Sequence, residues 1–122
     1  MKVFKFGGAS VKDANGVKNV AKVLQQEGVE NTLVVVSAMG KMTNAFEAII
    51  NTYYNKSKEL SDKINFVEEY HQEILNDLFD TNNKIHNQVN FLLGELSGFM
   101  AMNTSQDYNF IYDQLVGFGE LI

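Results

Sequence analysis

At 122 residues and 13.7 kDa the chain is long enough for one compact domain, which buries roughly two-thirds of its unfolded surface. A 45% hydrophobic content excludes disorder, zero cysteines exclude a disulfide framework or thiolate metal site, and a net charge of −5 argues against nucleic acid as the main partner. Apolar runs such as Leu33–Val36 are far too short to cross a bilayer, and no signal-type segment opens the sequence, so the expected setting is cytoplasmic and off the membrane. All ten basic residues are lysines. A site that grips phosphates or carboxylates usually includes a bidentate arginine, so either lysines and backbone amides serve alone or part of the site lies outside these residues.

In chain order, residues 2–6 alternate lysine with apolar side chains, the period of a short strand, and run into Gly7-Gly8. From about Asn15 to Gly28, the positions Val17, Val20, Ala21, Val23 and Leu24 share one helical face, with Gly28 as the stop. The β-branched run Thr32–Val36 predicts a strand of a parallel sheet, covered on both faces. Together these form a βαβ unit. Residues 43–54 suit a helix. Ile64, Val67, Tyr70, Ile74, Leu75 and Leu78 keep a helical period, as do Ile85, Val89, Leu92, Leu93, Leu96 and Met100, with breaks at Asn82-Asn83 and Asn103-Thr104-Ser105. A last helix is expected from near Ser105 or Asp107, carrying Tyr108, Ile111, Tyr112 and Leu115 on one side. Tyr53, Tyr54, Phe66, Tyr70, Phe79 and Phe91 are expected in the core or between helices, and Gly94-x-x-x-Gly98 in a close helix contact. His71 and His86 lack metal-ligand spacing and are expected at the surface or partly buried, so no side-chain metal site is expected. The sequence stops inside an apolar pattern at Gly119-Glu120-Leu121-Ile122, which reads as a fragment.

Three segments bear on chemistry. Lys5-Phe6-Gly7-Gly8-Ala9-Ser10 sits at a strand end: glycines let backbone N–H groups approach an anion, and the lysine adds a mobile charge. The segment is neither a P-loop nor G-x-G-x-x-G; its plain alternative is a tight turn that needs positive φ. Ser37, Gly40 and Thr43 follow the second strand, where ligands of open α/β sheets gather, although Thr43 or Asn44 could simply cap the next helix. Gly117-Phe118-Gly119-Glu120 offers a carboxylate for an ammonium group, or one merely stabilised by a helix N-terminus.

In this order and spacing the three segments resemble the amino acid kinase superfamily, and within it the aspartate kinases. Lys5-Phe6-Gly7-Gly8-Ala9-Ser10-Val11 is similar to the family's K-F-G-G-[TS]-S-V, with alanine in place of a hydroxyl residue at position 9. Val35-Val36-Ser37-Ala38 with Thr43-Asn44 is similar to its V-V-S-A-x-x-x-x-T-[ND], and Asp113–Ile122 to its D-x-[LIV]-[LVA]-[SG]-x-G-E block. The resemblance implies a three-layer αβα sandwich with a mainly parallel sheet, of which residues 1–122 are an incomplete, helix-rich N-terminal portion lacking the nucleotide-binding half and the regulatory domains. It implies transfer of the ATP γ-phosphoryl group to the β-carboxylate of L-aspartate, with Mg2+ carried by the nucleotide and a homo-oligomer, commonly a dimer. Lys5 would be catalytic and, with Gly7, Gly8 and Ser10, would line the phosphate path. Ser37, Thr43 and Glu120 would hold aspartate, Glu120 at its α-ammonium. By this reading the 122 residues alone are inactive. The close alternative is a glutamate or acetylglutamate kinase; the distant one is a non-catalytic α/β binding module. Residues 50–103 either cover their own domain's sheet or serve assembly.

Overall fold

The computed structural model describes residues 1–122, which divide into two compact units, Met1–Met42 and Thr43–Ile122. In the first, β1 (Lys2–Phe6) pairs in parallel with β2 (Thr32–Val36), in a register that sets Lys2 against Thr32 and Phe6 against Val36. A short 3-10 turn (Gly8–Val11) leads into α1 (Ala14–Glu27). Asp13 caps α1 by accepting from the Gly16 N–H at 2.8 Å, and Gly28 ends it at φ +82°, a left-handed value that glycine adopts without a steric penalty. The helix start is tight against the turn, because a Cβ on Gly16 would lie 2.5 Å from the Ser10 carbonyl oxygen. Strand alternation puts Lys2, Phe4 and Phe6 on one face, with Phe4 and Phe6 stacked at 6.4 Å; Lys2 Nζ donates from there to the Glu27 carbonyl at the end of α1. Val3 and Lys5 therefore occupy the opposite face, beside Leu33 and Val35 of β2.

The expectation that β2 is covered on both faces is not met. Leu33, Val34, Val35 and Val36 are between 37% and 50% exposed. Two strands and one helix do not supply two covering layers, so apolar side chains on each face of β2 stay half open.

The second unit is helical: α2 (Met42–Tyr54, starting at the last residue of the first unit), α3 (Leu60–Leu78), α4 (Ile85–Met102) and α5 (Tyr108–Leu121). All four helices match the sequence periodicity, and the breaks fall at the asparagine-rich segments. Phe46, Ile49 and Ile50 of α2, Val67 of α3, Leu96 of α4 and Leu115 of α5 are fully buried and form the centre of the core. Tyr53 Oη donates to the Met100 carbonyl (3.0 Å) and accepts from Asn103 Nδ2 (3.1 Å), tying the α4–α5 turn to α2. Tyr108 Oη donates to Asn51 and Tyr112 Oη to Glu47, so α5 runs antiparallel along α2.

Several local expectations are corrected. Phe66 (57%) and Phe91 (66%) are exposed because they fall off the apolar stripes of their helices; Tyr54, the last residue of α2, and Phe79, just past the end of α3, are exposed as well. His71 and His86 are buried more fully than the surface or partly buried setting expected of them. The His71 Nδ1–H donates to the Val67 carbonyl one turn earlier, while its buried Nε2 has no partner; burial holds the imidazole below its usual pKa. His86 is held by the Asp80 carbonyl and Gln72. Gly94 and Gly98 make no close contact: a Cβ on either would meet nothing within 4 Å, and both floor an open groove lined by Phe91, Met102 and Phe118. No helix is long and apolar enough to cross a membrane.

Candidate functional site

Lys5, Gly7, Gly8, Ser10 and Ser37 all lie at the carboxyl end of the parallel strand pair, where α/β sheets expose their loops. Lys5 is exposed on the bare face of β1, free of the stacking that occupies Phe4 and Phe6. The next residues close a 3-10 turn through the Ser10 N–H to the Gly7 carbonyl (2.9 Å). Ser37 extends the ladder past the end of the strands, its N–H donating to the Phe6 carbonyl at 3.0 Å.

The two glycines of the first loop are glycine for different reasons, and neither is the positive φ offered as the plain alternative. Gly7 has φ −77°, open to any residue. Among the positive-φ glycines are Gly28 and Gly40, but not Gly7 or Gly8. Gly8 has no room, since a Cβ would stand 2.5 Å from the Gly40 carbonyl oxygen and 3.1 Å from that of Ala38. Gly7 has all the room it needs: a Cβ there would meet nothing within 4 Å. Neither backbone conformation nor packing within this chain demands a glycine at position 7. A side chain there would instead narrow the open space beside Lys5, which suits a loop that admits the oxygens of an anion.

Thr43 and Glu120 belong to the second unit. Thr43 is exposed in the first turn of α2. Glu120 is also exposed, but it does not open a helix. It lies in α5, twelve residues past Tyr108 and so more than three turns from the N-terminus, where the positive end of the helix dipole has no reach. The dipole reading of Glu120 is thus overturned by the continuity of α5 through Gly117 and Gly119. Gly119 has a packing reason: a Cβ would lie 3.1 Å from the ring of Phe46, one turn beyond Thr43 in α2. With α5 antiparallel to α2, that contact brings Glu120 and Thr43 to the same end of the helix pair. Farther along, Tyr112 donates to Glu47 (3.2 Å), and that carboxylate raises the phenol pKa.

Sequence places Gly40 only in the loop after the second strand. Its φ of +54° and its contact with Gly8 give it a larger part in the loop geometry. The glycine itself, in Ser37-Ala38-Met39-Gly40, was the available signal.

The model of the Amino acid kinase family matches residues 1–122. The chain is 30% identical over 126 aligned residues to the chloroplastic bifunctional aspartokinase/homoserine dehydrogenase 2 of Arabidopsis thaliana, covering 98% of this chain and 13% of that protein. It is likewise 30% identical to chloroplastic aspartokinase 2 of the same plant, covering 97% of this chain and 22% of that protein. The structure is similar to E. coli aspartokinase III in complex with aspartate and ADP, with a TM-score of 0.76, 28% identity, and coverage of 99% of this chain and 26% of that one. Clostridium acetobutylicum aspartate kinase shares the fold at a TM-score of 0.71 and 19% identity, over 97% of this chain and 27% of its own. The chain thus spans well under a third of the length of these relatives.

Proposed function

The chain belongs to the amino acid kinase family, and from that premise we propose that it forms the N-terminal part of the catalytic domain of an aspartate kinase. The reaction is transfer of the γ-phosphoryl group of ATP to the β-carboxylate of L-aspartate, at the head of amino-acid biosynthesis from aspartate, including lysine and threonine. A carboxylate oxygen forms the new P–O bond while the bond from phosphorus to the bridging oxygen of ADP breaks. The products are 4-phospho-L-aspartate and ADP. An aspartate side chain, with an unperturbed pKa of about 3.9, is already ionised at neutral pH, so the acceptor needs no general base. What remains for the protein is alignment and neutralisation of charge.

The observation that carries this reading is Gly7: an unconstrained glycine with open space at its Cα, next to an exposed lysine at the end of a parallel strand. Lys5 is assigned to charge on the transferring group, with Gly7, Gly8 and Ser10 lining the phosphate path. Ser37 and Thr43 are assigned to hold the acceptor, and Glu120 to face its α-ammonium. Mg2+ belongs to the nucleotide phosphates and supplies further counter-charge when bound. The similarity to a solved aspartokinase holding aspartate and ADP supports both ligands. In this reading the remainder of a longer kinase completes the nucleotide pocket, residues 1–122 alone do not turn over, the working form is a homodimer, and the compartment is the cytoplasm, although the plant relatives named above are chloroplastic.

The test is a hydroxylamine trap for acyl phosphate, run on the complete kinase with Mg-ATP and aspartate, glutamate or acetylglutamate in turn. Hydroxamate that depends on aspartate is the expected result. Hydroxamate with glutamate or acetylglutamate instead would reassign the substrate, and none with any acceptor would point to a binding module.

A further inference from the structure

We infer that Gly40 is a positioning residue for the phosphate-facing loop, acting through Gly8, an inference that rests on the phosphoryl-transfer reading above and deepens it. The loops after β1 and β2 are joined by two hydrogen bonds that bracket Gly7 in the chain. On one side the Phe6 carbonyl accepts from the Ser37 N–H at 3.0 Å; on the other the Gly8 carbonyl accepts from the Gly40 N–H at 3.0 Å. Gly7 is strung between these two anchors. Both bonds use carbonyls of the first loop and N–H groups of the second, so the N–H donors of the Gly7-Gly8 segment take no part in the latch and stay available to an anion.

The latch tolerates little displacement. A Cβ on Gly8 would fall 2.5 Å from the Gly40 carbonyl oxygen, so the two backbones are already at closest approach. Gly40 itself holds φ +54°, a left-handed conformation that β-branched residues resist and that asparagine accepts more readily. A residue unable to hold that conformation swings the Gly40 peptide away, removes the Gly8 anchor and releases one end of the loop beside Lys5. The Ser37 N–H still holds the Phe6 carbonyl at the end of β1, but Gly8 at the far side of Gly7 is no longer fixed. The role is mechanical, and Gly40 itself makes no contact with substrate in this scheme.

The experiment compares Gly40→Val, Gly40→Asn, Gly8→Ala and the Gly8→Ala/Gly40→Val double variant in the complete kinase, with melting temperature as the control for folding. Gly40→Val is expected to lower kcat by about tenfold or more, with a much smaller change in KM for aspartate and a melting temperature close to wild type. Gly40→Asn should recover most of that loss. The double variant should be no worse than the more damaged single one, because both changes break one contact. An undisturbed kcat in Gly40→Val, equal damage from Asn and Val, or additive losses in the double variant would each overturn the latch. If Gly40→Val does not fold, Gly40→Asn against Gly8→Ala gives the same comparison. Amide exchange at Gly40 separates this inference from the reaction assigned above: it should be slow in the wild type and fast in Gly8→Ala, whatever substrate the enzyme uses. Fast Gly40 exchange in the wild type would overturn the latch, whereas a wild type without aspartate-dependent acyl phosphate would overturn the reaction.

Discussion

Leu33 through Val36 of β2 are 37–50% exposed, while Phe46, Ile49, Ile50, Val67, Leu96 and Leu115 of the helical unit are at 0%. The first unit pins its loops by backbone hydrogen bonds at the strand ends, through Ser37 to Phe6 and Gly40 to Gly8, and leaves its apolar strand half open. The second does the reverse: its helices seal a side-chain core and leave Thr43 and Glu120 exposed on the surface. Within residues 1–122 the loop geometry rests on backbone hydrogen bonds and the helical core on side-chain burial. Stability and site geometry are thus built from different interactions, and substitutions can separate them.

The widest separation is expected at Lys5. Lys5→Ala in the complete kinase should lower kcat by about 100-fold to 1000-fold, the usual loss when one preorganised group is removed from a developing charge. Its melting temperature should barely move, since Lys5 is exposed. A large melting shift, or an unchanged kcat, would break the division between the two regions.

Next come the two cores. Leu115→Ala should destabilise the protein by about 2–5 kcal/mol in chemical denaturation, because a fully buried side chain leaves a cavity. Val36→Ala, at a position 49% exposed, should cost less than about 1 kcal/mol. Equal costs would mean that β2 is better covered than its exposure indicates.

Within α5 the same contrast recurs between two glycines. Gly119→Ala pushes a methyl to 3.1 Å from the fully buried ring of Phe46 and should cost about 1–3 kcal/mol. Gly117→Ala meets nothing within 4 Å and should stabilise the helix by about 0.5–1 kcal/mol. Denaturation of the two variants side by side checks both signs.

The smallest effect is the pH response of His71. Its folded pKa lies below the ordinary 6.5, so its contribution is fully present above that value. As pH falls below 6.5 the unfolded chain takes up a proton that the buried ring resists, and stability declines. Melting temperature should therefore drop between about pH 7.5 and about pH 5.5, and His71→Leu should flatten part of that drop. An identical pH profile in the variant would show that other groups carry the response.

Most elements were legible because their periods were clean. Lys2–Phe6 alternates, Thr32–Val36 is β-branched throughout, and α3 and α4 carry unbroken apolar stripes between asparagine-rich breaks. Phe66 and Phe91 were misread as core on residue type alone, although both fall off those stripes. Residue type alone does not distinguish a turn glycine from a helical one. Gly117-Phe118-Gly119 reads as a loop until the Phe46 ring is placed beside Gly119, and Glu120 changes setting with it. The distinct reasons for Gly7 and Gly8 are equally invisible in sequence, because they depend on where the carbonyls of Ala38 and Gly40 stand. Burial of His71 was hidden because a histidine on an apolar stripe reads the same whether its ring nitrogens find partners or not.

The central claim, that the strand-end loops do the chemistry while the helical core holds the fold, is tested most directly by hydrogen exchange across residues 1–122 of the complete kinase, with and without Mg-ATP and aspartate. Protection should rise in residues 5–11 and 37–43 and around Glu120, and stay unchanged through α3 and α4. Protection gained only in α3 and α4, with the loops unaffected, would contradict it.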